Sequence, residues 1–187
     1  MEILFATSNH GKAEEAAEIL KKYGIVVKHF PFEHTEIRSE NLDEIAAEAV
    51  SAAYAECQKP VFVEDSGLFI RALNGFPGPY SAWVQRKLGN AGILCLMSGV
   101  ADRSAHFEAS IAFHDGKSVR AFHGTCHGSI AREVCGTSGF GYDPIFVPEG
   151  EKQTFGERIE LKNNLSHRYK ALLEFSTALA SMRRVAF

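Results

Sequence analysis

Read for the spacing of apolar and polar positions, the first third of the chain alternates short buried runs with amphipathic stretches. Glu2 to Ala6 reads as a buried strand, and Thr7 to Gly11 as a tight polar loop. Ala13, Ala16, Ala17 and Leu20 then recur at helical spacing, with Gly24 as a terminator. Ile25 to Phe30 predicts a second strand, leading into an acidic, polar loop that contains Glu36. Asn41 followed by Glu44 has the form of a capping box and predicts a helix to about Gln58, with Ile45, Ala49 and Ala52 or Ala53 facing inward. Pro60-Val61-Phe62-Val63 predicts a strand that ends abruptly at Glu64-Asp65-Ser66-Gly67. This β-α-β-α-β order predicts a layered α/β fold.

The pattern then changes. Phe76-Pro77-Gly78-Pro79 predicts a turn before a helix from about Ser81 to Met97, broken near Gly89 or Gly92. From Ala105 to Phe113 apolar residues alternate with polar ones, as in a strand with one buried face. Asp115-Gly116 signals a hairpin, and the return strand from Lys117 to about Val134 is expected to bulge or break at Gly124 and Gly128. The last predicted element is a helix from about His167 to Ala180, N-capped by Ser166, with Tyr169, Leu172, Leu173, Ser176 and Leu179 or Ala180 inward. Without repeats, low-complexity tracts or linkers, residues 1–187 are expected to form one domain with two lobes around a mixed sheet.

Composition narrows the function classes. At 45% hydrophobic and 23% charged residues the chain is ordinary globular material. A net charge of −3 argues against a broad nucleic-acid footprint, which needs a basic face. No stretch reaches the ~18 apolar residues of a membrane span, and the start MEILFATSNHGK lacks the basic region of a signal peptide. Cys57, Cys95, Cys126 and Cys135 contain no CxxC pair, which points to reduced thiols and a cytoplasmic protein. His123, Cys126, His127 and Cys135 are close in sequence. On a strand, however, Cys126 faces away from the two histidines, and the usual zinc spacing is absent.

Three segments carry candidate chemistry. Thr7-Ser8-Asn9-His10-Gly11-Lys12 offers hydroxyls, an amide, backbone N–H groups and an ammonium at a helix N-terminus, the natural place for an anion. It lacks the Walker A spacing, and a plain capping turn with a solvated lysine is the alternative. Glu64 and Asp65 are consecutive, so on an extended chain they point to opposite sides. Asp65, beside Ser66, is the better candidate for holding a divalent cation or activating water. Glu36 could add a second oxygen for Mg²⁺ or be a solvated loop acid. The third segment, Gly136 to Pro144, is dense in glycine yet carries Phe140 and Tyr142. These aromatics either stack on a planar ligand or fall into the core. Downstream, Lys162 precedes His167 and Arg168 at a helix start, where cations oppose the dipole and an anionic or acceptor-rich ligand would offset them.

Taken in order, ATSNHGK, VEDSGL, FPGPYSAW, GTSGFGYDPIF, QTFGE and KNNLSHRYKAL resemble the inosine triphosphate pyrophosphatase family, from Thr7 to about Leu172. The resemblance implies Mg²⁺-dependent hydrolysis of the non-standard purine triphosphates ITP, dITP and XTP to monophosphate and pyrophosphate. It also implies an α/β fold of two lobes around a long mixed sheet, with flanking helices and a central cleft, usually as a homodimer. Carried over residue by residue, Thr7, Ser8, Asn9, His10, Gly11 and Lys12 match the triphosphate loop. Asp65 matches the catalytic, metal-binding acid, Glu36 the second metal carboxylate, and Ser66 a substrate contact. Phe140, Gly141, Tyr142 and Asp143 match the nucleotide loop, while Lys162, His167 and Arg168 match residues touching phosphate or base. Two positions depart from the family pattern. Ser8 stands where the loop usually has glycine, which is tolerable if its φ is negative, and Glu64 replaces the first of two aspartates. A non-catalytic nucleotide sensor and a phosphatase removing the γ-phosphate are the rival expectations.

Overall fold

The computed structural model describes residues 1–185. The elements are β1 (Glu2–Ala6), α1 (His10–Lys21), β2 (Val26–Phe30), α2 (Leu42–Cys57), β3 (Val61–Ile70) and β4 (Pro77–Gly78), then α3 (Ser81–Leu96), β5 (Ser104–His114), β6 (Val119–Ile130), β7 (Phe146–Pro148), α4 (Ile159–Leu165) and α5 (His167–Val185). The sheet is seven-stranded and mixed, in the order β2-β1-β3-β5-β6-β7 with β4 paired to β3. β1 runs parallel to β2 and β3, whereas β4 and β7 pair antiparallel with β3 and β6.

The chain divides into two compact units, residues 1–65, 109–124 and 168–187 in the first and 66–108 and 125–167 in the second. In unit 1 the strand pleat separates two cores. Ile3, Phe5, Phe62, Ile111, Phe113 and Phe122 pack with Ala16 and Leu20 of α1 and Leu172 and Phe175 of α5. Phe175 lies 5.1–5.3 Å from the rings of Phe62, Phe113 and Phe122. The alternate strand positions Ala6, Val61, Val63 and Ala112 pack with Ala46, Ala49, Val50 and Ala53 of α2. In unit 2, Leu68, Ile70, Phe107, Cys126, Ile130, Tyr142, Phe146 and Phe155 gather against Val84, Ile93 and Met97 of α3.

Some local expectations hold, since α3 does break at Gly89 and Ser166 does stand extended directly before α5, and others need correcting. β3 does not stop at Glu64 but runs ten residues to Ile70, so Glu64, Asp65 and Ser66 are mid-strand. Gly67 is not a turn: a Cβ there would collide with the Gly78 carbonyl, and its absence lets β4 lie against β3. The helix cap at Asn41 forms, but its side chain accepts from the Asp43 amide, while Glu44 takes the Ser39 hydroxyl at 2.7 Å instead of closing a capping box. α3 kinks at Gly89, where φ is 61°. β6 runs unbroken through Gly124 and Gly128. A short helix, α4, precedes α5 and contains Lys162. Ser166 closes α4, its N–H donating to the Lys162 carbonyl at 3.1 Å. On α5 the buried positions are His167, Arg168, Ala171, Leu172, Phe175, Ser176 and Leu179 among the described side chains, while Leu173 and Ala180 face outward.

Candidate active site

Unit 1 carries the Thr7–Lys12 loop. The Thr7 N–H donates to the Phe30 carbonyl at 3.1 Å, prolonging the β1–β2 ladder by one rung. The Thr7 hydroxyl then accepts the Asn9 N–H at 3.1 Å, and Asn9 caps α1 by accepting the Lys12 N–H at 3.1 Å. These two side chains therefore fold the loop. The amides of His10 and Gly11 fall in the first helical turn, which has no intrahelical acceptors to offer them. Among the described residues the only non-glycine positions with positive φ are Gln58 and Asn74, so Ser8 takes the place of glycine without backbone strain. Ser8, Asn9 and His10 are exposed.

The acids of β3 obey the pleat. Glu64 shares its face with Phe62, under α1 and α5, and Asp65 shares its face with Val61 and Val63, under α2. Glu64 is buried and fully engaged. Arg168 of α5 donates to it twice, Nε to Oε2 at 2.7 Å and Nη2 to Oε1 at 2.8 Å. Arg168 Nη1 also donates to Glu15 of α1. Lys12 reaches the same residue, donating from Nζ to the Glu64 carbonyl at 3.1 Å and lying 3.5 Å from Oε1. Burial alone would lower the Arg168 pKa, but the Glu64 and Glu15 carboxylates overcome this and hold it above its ordinary value. The guanidinium side chain is 2% exposed.

That placement gives Arg168 protein partners. Its N–H groups are aimed at protein carboxylates, so the unfavourable charge near a helix start is offset by Glu64 and Glu15 rather than by a ligand. Asp65 is half-buried, and Glu36 is exposed in the segment before α2, the helix on Asp65's side of the sheet. Ser66 shares the Glu64 face and is half-buried.

Unit 2 carries the glycine-aromatic loop. Gly136, Gly139 and Gly141 all have positive φ. At Gly139 a Cβ would strike the Asp143 carboxylate, so glycine there is what lets the loop close on that acid. Asp143, 3% exposed, accepts the Phe140 N–H at 2.7 Å and Lys162 Nζ at 2.7 Å. The same ammonium sits 3.9 Å from the Phe140 ring centroid, a cation–π contact. Gln85 and Asn90 of α3 both donate to the Gly141 carbonyl, at 3.0 and 3.1 Å. The Thr154 hydroxyl donates to the Cys135 carbonyl at 2.7 Å, and the Gly156 carbonyl accepts the Ser138 N–H, so the TFGE segment buttresses the loop.

The two aromatics separate. Phe140 stays half-buried on Lys162, whereas Tyr142 falls into the core and donates its hydroxyl to the Ser81 carbonyl at 3.0 Å. Burial pushes the Tyr142 phenol above its ordinary pKa. His167 is also buried, stacked on Phe107 with ring centroids 4.6 Å apart. Sequence reasoning missed Glu15, Gln85 and Asn90. Glu15 lies one turn after Lys12 on α1, and that spacing was the one available signal.

Among the described residues no cluster of three His, Cys, Asp or Glu side chains could hold a metal. In the histidine–cysteine segment, Cys126 is buried while His123 and His127 are exposed on the other face. A strand–loop–helix opening and an acidic central strand, set in a mixed parallel and antiparallel sheet, place the chain among mixed α/β proteins. The chain belongs to the Ham1 family, whose profile matches residues 3–178. It is 46% identical over 176 residues to a dITP/XTP pyrophosphatase of Saccharolobus solfataricus, covering 94% of this chain and 92% of that one. It is 49% identical over 179 residues to one of Methanopyrus kandleri, covering 94% and 95%. Among solved structures, the Ham1 protein of Staphylococcus aureus superposes with a TM-score of 0.83 at 30% identity, over 97% of this chain and all of that one.

Proposed function

We propose that this protein hydrolyses non-standard purine nucleoside triphosphates, dITP, XTP and ITP, to the monophosphate and pyrophosphate. The relatives named above support the reaction. The observation that carries the chemistry is the split of the β3 acids: Glu64 is locked by Arg168 and Lys12, while its neighbour Asp65 occupies the other face. In this reading Asp65 orients a water and takes its proton as the α–β phosphoanhydride bond breaks. The loop amides and Lys12 receive the triphosphate and stabilise charge on the departing pyrophosphate. In this reading Glu64 and Arg168 join β3 to α5 and so position the strand that carries Asp65.

The donor set suits Mg²⁺, which takes one or two carboxylates and completes its shell with water and phosphate oxygens. Asp65 and Glu36 are the residues that would hold it. When bound it neutralises phosphate charge and lowers the pKa of coordinated water. For base handling we assign unit 2, with Phe140 offering its ring and the 140–143 backbone its polar groups. A 6-keto acceptor distinguishes hypoxanthine and xanthine from adenine, and donors aimed at it reject the amino group. We further infer a cytoplasmic homodimer. Phe76, Tyr80, Trp83 and Leu88 are exposed apolar side chains at and before α3, and the four cysteines are free thiols.

The test is a panel of ITP, XTP, dITP, GTP and ATP with Mg²⁺, reading products as well as rates. Pyrophosphate released from ITP, XTP and dITP well above ATP is expected. Orthophosphate would instead identify a γ-phosphatase, and saturable binding without turnover a sensor.

A further inference from the structure

β2 is the edge strand, paired parallel to β1 with His29 opposite Phe5 and Phe30 opposite Ala6. Its last rung is the Thr7 N–H to the Phe30 carbonyl. The strand ends there, before Pro31. Instead, the Thr7 carbonyl is met by the imidazole of His29, with Nε2 2.8 Å from the oxygen. A carbonyl only accepts, so Nε2 carries a hydrogen and is the donor. The same ring meets His10 edge-on, with centroids 4.9 Å apart and planes at 71°. One half-buried side chain therefore grips the anion loop just before Ser8 and just after Asn9.

Peptide planarity gives this grip a direction. The Thr7 carbonyl and the Ser8 N–H belong to one trans peptide unit and point opposite ways. Holding the carbonyl on His29 aims the Ser8 N–H away from β2. We propose that His29 is the positioning residue of the phosphate loop, fixing the Thr7–Ser8 peptide so that the Ser8 amide is presented to the triphosphate before it arrives. This rests on the assignment of Thr7–Lys12 as the triphosphate loop. Without the hydrogen bond that peptide can rotate, and binding then has to order it.

The experiment compares wild type, His29→Leu and His29→Gln in the full chain. It reads KM and kcat for ITP with Mg²⁺, and competitive inhibition by inorganic tripolyphosphate, a probe with no base. Loss of one neutral hydrogen bond corresponds to about a five- to tenfold change. His29→Leu is expected to raise KM for ITP and the tripolyphosphate inhibition constant together by about that factor, with kcat within about threefold. His29→Gln, whose amide can donate to the same carbonyl, is expected to recover most of the loss. A wild type inhibited by tripolyphosphate, with His29→Leu unchanged, overturns the inference alone. A fall confined to kcat, or equal impairment of both variants, also overturns it. A wild type insensitive to tripolyphosphate removes the loop assignment and the inference with it. Should His29→Leu fail to fold, His29→Asn decides, because its shorter amide cannot reach Thr7: a constant equal to that of His29→Gln refutes the proposal.

Discussion

Replacing Arg168 by methionine probes the polar cluster beneath α1 and α5. In the wild type, the Arg168 and Glu64 side chains are 2% and 1% exposed and share two hydrogen bonds of 2.7 and 2.8 Å. Methionine leaves the Glu64 carboxylate buried, with Lys12 Nζ at 3.5 Å as its remaining counter-charge. Removing one partner of a buried pair costs about 3–5 kcal/mol, because the other charge stays desolvated. For a chain of this size that corresponds to a fall in Tm of about 6–20 °C. Removing both charges behaves differently, since an apolar pair of similar volume is often neutral. Glu15, with its side chain 15% exposed, can turn toward water once Arg168 is gone. Urea denaturation at pH 7, followed by circular dichroism, would measure the cycle of wild type, Arg168→Met, Glu64→Met and the double variant. The double variant is expected to be more stable than either single one, with a coupling of about 3 kcal/mol. An Arg168→Met variant within about 1 kcal/mol of wild type, or strictly additive losses, would refute the reasoning.

Asp65→Asn keeps the shape but removes the proton acceptor, so pyrophosphate release from ITP should fall by about 10²–10⁴-fold, with the Tm little changed; a chromatographic product assay checks this. Lys162→Met removes the ammonium from the Asp143 carboxylate, 3% exposed, and should destabilise by about 3–5 kcal/mol in urea titrations, whereas Asp143→Asn combined with Lys162→Met should lose much less. Asp43 accepts from Ser110 at 2.6 Å and from His123 at 2.7 Å. Desolvation raises its pKa, but these bonds prevail and the folded value lies below the ordinary one. Its contribution is therefore full above about pH 4 and lost as pH falls through the folded value. Asp43→Asn should flatten that acid limb in thermal melts taken between pH 2 and 6.

Much of the fold was legible because periodicity and local caps agree. Ala13, Ala16 and Leu20 mark α1, and Ile45, Ala49 and Ala53 mark the inner face of α2. β3 was truncated because Glu64-Asp65-Ser66-Gly67 reads as a polar turn. What keeps it extended is non-local: Arg168, 104 residues away, satisfies Glu64, and β4 lies on Gly67. The opposite facing of Glu64 and Asp65 followed from the two-residue strand period alone. The fate of Arg168 could not, because a lone cation near a helix start carries no sign of which carboxylates will meet it. Likewise, glycine spacing located the 136–144 loop, but only packing decides that Tyr142 enters the core while Phe140 rests on Lys162.

The alternation of β3 works as a reading frame. Deleting Val63 would carry Asp65 into the place of Glu64 beneath α5, facing Arg168, and push a longer carboxylate out on the α2 side. The proposed catalytic acid would be silenced by an ion pair while both carboxylates were still present. Arg168 and Lys12 are fitted to the longer Glu64 side chain and would meet a shorter aspartate poorly, which makes that slipped alignment costly and so keeps the frame in phase.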